Sequence, residues 1–250
     1  MMTNAILVAG GRGSRLYPFT RYTQKTLLPL YNRPVIDFAL GTIRRAGIKN
    51  ITIISNEFIG QIARHIGAGL EDERIHYVIE EEPLGIAYAL NLARPYNQNC
   101  RVLVYFSDNI TTLELSDEVT RFNGEIDSPG CVLVAREEPN PQAFGVAVLD
   151  GEGKICDIVE KPENPPSNLA IGGIYLFDEN FWDYLDVAVS KKGASLSISD
   201  ITRQYVQLDK AKLLSVGEET WVDCGTPESL LYASQMARDG KLNPEPFRRN

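Results

Sequence analysis

A chain of 250 residues, 44% hydrophobic and 23% charged, is long enough to bury a sizeable core and has the composition of an ordinary folded protein. Its formal net charge of −8 repels nucleic acid and anionic membrane surfaces, so neither is an expected partner and any basic binding site must be local. Cys100, Cys131, Cys156 and Cys224 form no CxxC pair, which argues against a zinc site or a disulfide framework; His65 and His76 are the only histidines and sit in no motif of a Ser-His-Asp or Cys-His nucleophile.

The chain starts with four residues that lead directly into an apolar run at 5–9, too short for a signal segment and with no basic residue before it. No stretch approaches the length of a membrane span, so the expected compartment is the cytoplasm. Further apolar runs at 51–55, 75–79, 102–106 and 131–135 predict strands. Between them, Ile36, Ala39, Leu40 and Ile43, then Ile59, Ile62 and Ile66, then Ile86, Leu90 and Ala93 follow helical spacing. Strand alternating with helix predicts an α/β fold on a doubly wound, mostly parallel sheet, Rossmann-like in kind. After about Pro139 the strands shorten, at 145–149, 154–160 and 173–177, with Pro and Gly between them, which predicts a smaller second lobe. Helices at 200–208 and 228–239 flank a strand-like Trp221-Val222-Asp223. Three of the cysteines sit in apolar runs and are expected to be core thiols.

The strand at 5–9 runs into Gly10-Gly11-Arg12-Gly13-Ser14-Arg15-Leu16-Tyr17-Pro18. Glycines in such a loop let backbone N–H groups approach phosphate oxygens, and Arg15 adds a multi-donor cation suited to a triphosphate. The loop is neither the dinucleotide fingerprint, whose third glycine would fall at Leu16, nor a Walker A loop, since no Gly-Lys-Ser/Thr follows. A tight turn with a solvated arginine explains the loop alone equally well. Lys25, in Gln24-Lys25-Thr26-Leu27-Leu28-Pro29, tilts the balance toward phosphate, because it can reach back to the same place.

The glycine loop together with Lys25-Thr26-Leu27-Leu28-Pro29 resembles the signature of the sugar-1-phosphate nucleotidylyltransferases, most of all their thymidylyl-transferring members, and the resemblance runs to about residue 235. It implies a single domain over 1–250, with a nucleotide-binding lobe at about 1–138, a sugar-binding lobe at about 139–227 and a C-terminal helix and tail at 228–250. It implies nucleoside triphosphate and sugar 1-phosphate as substrates and Mg²⁺ as cofactor. Ala9, Gly10, Gly11, Gly13 and Arg15 match the triphosphate loop, and Arg15 and Lys25 match the residues that stabilise charge at the α-phosphate.

Ser107-Asp108-Asn109 ends a strand where open α/β sheets bind ligands, and Trp221-Val222-Asp223-Cys224-Gly225 supplies a second carboxylate beside a glycine. Two carboxylates with phosphate oxygens and water suit Mg²⁺, and the resemblance carries that role to Asp108 and Asp223. It gives Glu160 and Lys161, in Glu160-Lys161-Pro162, the sugar hydroxyls and the sugar phosphate. It places Asn109, Phe144, Gly145, Gly172, Gly173 and Tyr175 around the sugar, with Phe144 standing where the family often has tyrosine. A surface ion pair and turn aspartates are the plain alternatives for these residues one at a time.

Glu80, Pro83 and Gly85 match the base-binding loop. Thymidylyl-transferring relatives commonly have glutamine where Glu80 stands; an ionised glutamate only accepts hydrogen bonds and suits guanine better. Guanylyl, uridylyl or cytidylyl transfer, or a nucleotide-sugar-binding homologue without catalysis, are therefore the alternatives to thymidylyl transfer. The family usually carries glutamate in place of Ser195 or Ser197, and its thymidylyl-transferring members often have a longer C-terminal helical extension with an effector site and part of the oligomer interface, so feedback regulation and the family's tetramer are not among the expectations. A homo-oligomer is left open.

Overall fold

The computed structural model describes residues 2–124, 128–193 and 196–242. In chain order the elements are β1 (Thr3–Val8), β2 (Pro29–Leu30), β3 (Arg33–Pro34), α1 (Val35–Arg45), β4 (Asn50–Ser55), α2 (Ile59–Ile66), β5 (Arg74–Ile79), α3 (Ile86–Asn97), β6 (Arg101–Phe106) and β7 (Asn109–Thr111). There follow α4 (Ser116–Gly124), β8 (Cys131–Glu137), β9 (Gly145–Leu149), β10 (Ile155–Glu160), β11 (Leu169–Phe177), α5 (Phe181–Lys192), α6 (Ile198–Gln207), β12 (Ala211–Ser215), β13 (Trp221–Asp223) and α7 (Pro227–Arg238). Every strand and helix expected from the sequence is present within a few residues of its expected bounds. The fold is α/β on a mixed, mostly parallel sheet with helices. None of the described helices is long and apolar enough to cross a membrane.

The chain forms two compact units that do not follow chain order. One comprises Ala5–Pro83, Tyr105–Val119 and Glu218–Asn250; the other Met1–Asn4, Leu84–Val104 and Thr120–Gly217.

In the unit that begins at Ala5, β4 pairs in parallel with both β1 and β5, in the registers Ala5↔Ile51 and Asn50↔Arg74. Ala5, Ile6, Leu7, Ile51, Ile53 and Ile54 are fully buried. Near-continuous burial of this kind marks strands covered on both faces. The apolar side of α1 is buried too, through Ile36, Ala39, Leu40 and Ile43. The antiparallel ladder of β7 and β13 pairs Asn109 with Asp223 and Ile110 with Val222. Ile110 and Val222 share a small core with Leu30, Phe38 and Ala233 of α7. That core fixes the segments that carry Asp108 and Asp223.

In the other unit β9 pairs antiparallel with β10 and β11, β11 pairs antiparallel with β8, and β12 lies parallel to β8. The β11 register with β8 breaks between Ile171 and Tyr175, the stretch that contains Gly172 and Gly173. Phe177 stacks on Phe181 of α5 at 4.6 Å and lies 5.7 Å from Tyr205 of α6, which pins both helices.

The cysteine expectation needs correction. Only Cys131 and Cys224 are buried, Cys100 is half-buried, and Cys156 is exposed. The pairing of β10 with β9 shifts between Ile155 and Asp157, and this bulge takes Cys156 out of the alternation that would have turned it inward. His65 is bound to Asp37 at 2.7 Å, a structural partner.

Candidate active site

The glycine loop leaves β1 with Ala9, whose N–H donates to Ile54 at 2.7 Å. Gly13 sits in the left-handed region at φ 61°, and a Cβ there would lie 2.8 Å from Thr20 Cγ2. Only glycine meets both demands without strain. Lys25 runs directly over the loop, since a Cβ on Gly11 would lie 3.2 Å from both Cε and Nζ of Lys25. Gly10 faces Glu80: a Cβ on Gly10 would collide with Glu80 Oε2.

Asp108 follows the end of β6, where Ser107 donates through its N–H and its hydroxyl to Val8 O at 3.0 and 2.9 Å. Its Oδ2 forms an ion pair with Lys25 Nζ, and its Oδ1 accepts from Asn109 Nδ2 at 3.0 Å. The Trp221 indole N–H in turn donates to Asn109 Oδ1 at 2.8 Å, which fixes the orientation of that amide. The resemblance places Asn109 around the sugar. The structure engages its side chain with Asp108 and Trp221, the bonding of a group that orients the carboxylate. Asp223 is held beside Asp108 by the ladder, and the Cys224 N–H donates to Asp108 O at 2.8 Å. Arg15 arrives at the same point. A Cβ on Gly225 would lie 2.5 Å from Arg15 Nη2 and 2.8 Å from Asp223 Oδ1. Arg15, Lys25, Asp108 and Asp223, which the sequence spreads over more than 200 residues, therefore gather at one place.

Glu80 is 6% exposed, and burial pushes its carboxyl above the ordinary carboxylate range. Pro83 is exposed, and Gly85, at φ 102°, stands at the N-cap of α3.

In the other unit Glu160 pairs across β10 and β9 with Gly145. Its Oε2 accepts from the Ser199 hydroxyl at 2.5 Å, and its Oε1 lies 3.7 Å from Lys161 Nζ. Lys161 adopts φ 44°, a left-handed conformation uncommon for a residue with a side chain, and its N–H donates to Phe144 O at 2.9 Å. Its side chain is 65% exposed, so the ammonium reaches out on a bent backbone. Burial, and after it the Glu160 charge, push the Tyr175 phenol well up, so this hydroxyl stays protonated. The Arg136 guanidinium lies over the Phe144 ring at 5.8 Å.

Ser199 went unread in the sequence, where the family pattern directed attention to Ser195 and Ser197. Ser195 lies outside the described residues. Ser197 is a helix cap, its N–H and hydroxyl donating to Asp200 Oδ2 at 2.9 and 3.0 Å. The signal that could have found Ser199 is its place two residues on, in the first turn of α6.

Among the described residues no group of three or more His, Cys, Asp and Glu gathers as a metal cage. Two adjacent carboxylates still fit a hard dication that takes its remaining ligands from phosphate and water, the usual arrangement for Mg²⁺.

A family model for nucleotidyl transferases matches residues 4–240. A glucose-1-phosphate thymidylyltransferase of Xanthomonas campestris pv. campestris is 34% identical over 238 residues, covering 92% of this chain and 79% of that protein. A low-salt glycan biosynthesis nucleotidyltransferase of Haloferax volcanii is 32% identical over 94% of this chain, which spans 66% of that protein's length. The crystal structure of a putative glucose-1-phosphate thymidylyltransferase from Bacillus anthracis superposes with a TM-score of 0.87 at 32% identity, over 95% of this chain and 96% of that one. With its glycine loop, two carboxylates and two cations assembled in one unit, the chain belongs to the nucleotidyl transferase family, among its sugar-1-phosphate nucleotidylyltransferases.

Proposed function

We propose that this chain transfers a nucleoside monophosphate from a nucleoside triphosphate, dTTP by preference, to a sugar 1-phosphate, glucose 1-phosphate by preference, with release of pyrophosphate. The observation that carries the reading is the Lys25–Asp108 ion pair set beside Arg15 and Asp223. The two cations at the end of a glycine loop suit a polyanionic substrate, and the two carboxylates suit the dication that such a substrate brings with it. The relatives named as glucose-1-phosphate thymidylyltransferases support the choice of base and sugar.

The reaction brings two anions together, so its barrier is chiefly electrostatic, and the phosphate nucleophile is already ionised and needs no general base. The loop N–H groups and Arg15 hold the triphosphate. Lys25 offsets the charge that builds on the α-phosphate and departs with pyrophosphate, while Lys161 aims the sugar phosphate and Glu160 grips the sugar hydroxyls. Positioning of this kind is a large part of the rate enhancement for such transfers. Mg²⁺, when bound, would be held by Asp108 and Asp223 and would supply further charge neutralisation on the phosphates.

Glu80 bears on the base. Burial raises the Glu80 carboxyl, and in its protonated form it has one O–H donor and one acceptor, the same complement that an amide offers thymine, so a protonated Glu80 favours dTTP or UTP. An ionised Glu80 favours GTP, and this is the second reading. Pyrophosphate release with Mg²⁺, measured for dTTP, UTP, GTP, CTP and ATP against glucose 1-phosphate and mannose 1-phosphate, tests both. Preference for dTTP supports the first reading and preference for GTP replaces it with the second. Silence across the grid from folded protein that binds nucleotide removes the catalytic reading.

A further inference from the structure

Gln24 is 1% exposed, and its amide is fully engaged. Its Nε2 donates to the carbonyl oxygen of Ala9 and, at 3.2 Å, to that of Gly11. Its Oε1 accepts from the N–H and the hydroxyl of Thr26 at 2.6 and 2.9 Å. One buried side chain thus ties the glycine loop to the segment that carries Lys25.

Two other side chains complete the pattern. Ser55 Oγ also donates to Ala9 O, at 3.0 Å, and Thr20 Oγ1 donates to Gly13 O at 2.9 Å. The carbonyls of Ala9, Gly11 and Gly13, three alternate residues of the loop, are all taken by side chains. In a planar trans peptide the carbonyl of one residue and the N–H of the next point in opposite directions. The Tyr17–Pro18 bond is cis and lies outside these three peptides. The N–H groups of Gly10, Arg12 and Ser14 are therefore turned away from Gln24, Ser55 and Thr20. Among the described residues, none of these three N–H groups donates a hydrogen bond. Unpaired N–H groups turned to one side of a loop form an anion-binding concavity.

We propose that Gln24 is the positioning residue of the phosphate loop: by holding the Ala9 and Gly11 carbonyls on one side, it turns the Gly10 and Arg12 N–H groups toward the triphosphate and seats Lys25 over them. The inference rests on the reading of this loop as the triphosphate site. Gln24 itself faces away from the substrate and touches it only through the loop.

The test is a comparison of Gln24→Met, which keeps the length of the side chain and loses both donors, with the unmodified protein. Calorimetric titration with inorganic tripolyphosphate and with dTTP reads the phosphate cradle directly, without any contribution from turnover. The expected result is a Kd raised about tenfold or more for both, as follows from weakening two charge-assisted hydrogen bonds. KM for the sugar 1-phosphate should stay unchanged, a split that a general loss of structure would not produce. If Gln24→Met does not fold, Thr20→Val, which frees the Gly13 carbonyl alone, is expected to weaken tripolyphosphate binding in the same direction. A folded Gln24→Met, or in its place a folded Thr20→Val, with unchanged affinity for both ligands overturns the proposal while leaving the function intact. Absence of any affinity for tripolyphosphate and dTTP in the unmodified protein overturns the triphosphate reading and the proposal with it.

Discussion

Lys25 Nζ and Asp108 Oδ2 form an ion pair across 83 residues of sequence, with side chains only 15% and 16% exposed. Each charge is the other's principal compensation. The pair joins the segment after the glycine loop to the end of β6, so folding itself assembles the site.

The first prediction follows from that pair. Asp108→Asn and Lys25→Met should each lower turnover by about a hundredfold or more, the scale of losing one oriented charge or donor at a reacting centre. Each single change also strands its partner's charge, so each should lower the melting temperature, and the double variant should lose less than the two single losses added together. A thermodynamic cycle from the four melting curves measures the coupling. Turnover unchanged in Asp108→Ala would remove this residue from the mechanism.

Glu80 supplies a prediction about pH. Its carboxyl is raised above the usual 4.5 by burial, so the folded state holds its proton where the unfolded chain has released it. The folded state then binds more protons than the unfolded state in that window, and stability falls as pH rises through it. Below the ordinary value both states are protonated and this contribution vanishes. Glu80→Gln should therefore be more stable than the parent protein at neutral pH and converge with it toward pH 4, as read from melting temperature against pH. The same variant should sharpen preference for dTTP over GTP, because the amide keeps a donor and an acceptor at every pH.

Ser199 gives a prediction on the sugar side. Its hydroxyl holds Glu160 Oε2 at 2.5 Å, and the serine is itself buried against the Gly145 backbone, where a Cβ would lie 2.8 Å from Ser199 Oγ. Removing a hydrogen bond to a charged group should raise KM for the sugar 1-phosphate by roughly tenfold in Ser199→Ala. KM for the nucleotide should be unchanged, and Ser199→Thr should restore most of the loss. Equal rises in both KM values would point to general loosening rather than to Glu160.

What the sequence disclosed and what it hid have separate physical origins. Strands such as β1, β4 and β6 are legible because unbroken apolar runs bounded by polar residues have few other uses in a chain of this composition. The glycine loop and Lys25 are legible as a motif since they lie within a few turns of chain. The pairing of β7 with β13 is not, although Trp221-Val222-Asp223 reads as strand-like, because so short a strand carries no signal of its partner and the paired residues Ile110 and Val222 stand 112 residues apart. The roles of Gln24 and Ser199 are hidden for another reason: both act through a second group, and a neutral polar residue looks the same in sequence whether it caps a helix, faces water or orients a carboxylate. Cys156 misled because a bulge interrupts the alternation on which inside and outside were read.

Gly225 yields the last prediction, in which activity and stability should part. An alanine methyl there would lie 2.5 Å from Arg15 Nη2 and 2.8 Å from Asp223 Oδ1. Gly225 is not among the glycines with positive φ, so alanine adds no left-handed strain. The atoms in its way are the far ends of side chains, and Arg15 can swing outward, so the fold should survive with a small drop in melting temperature, within about 1 kcal/mol of stability. The displaced guanidinium, however, would no longer lie beside Asp223 and the glycine loop. A misplacement of roughly 1 Å at such a clamp can lower the rate by about a hundredfold. Gly225→Ala should therefore show a nearly normal melting curve with a large fall in kcat and a raised KM for the nucleoside triphosphate, while KM for the sugar 1-phosphate changes little. Full activity in a folded Gly225→Ala would mean that Arg15 does its work from some other position, and its place beside Asp223 would lose its functional meaning.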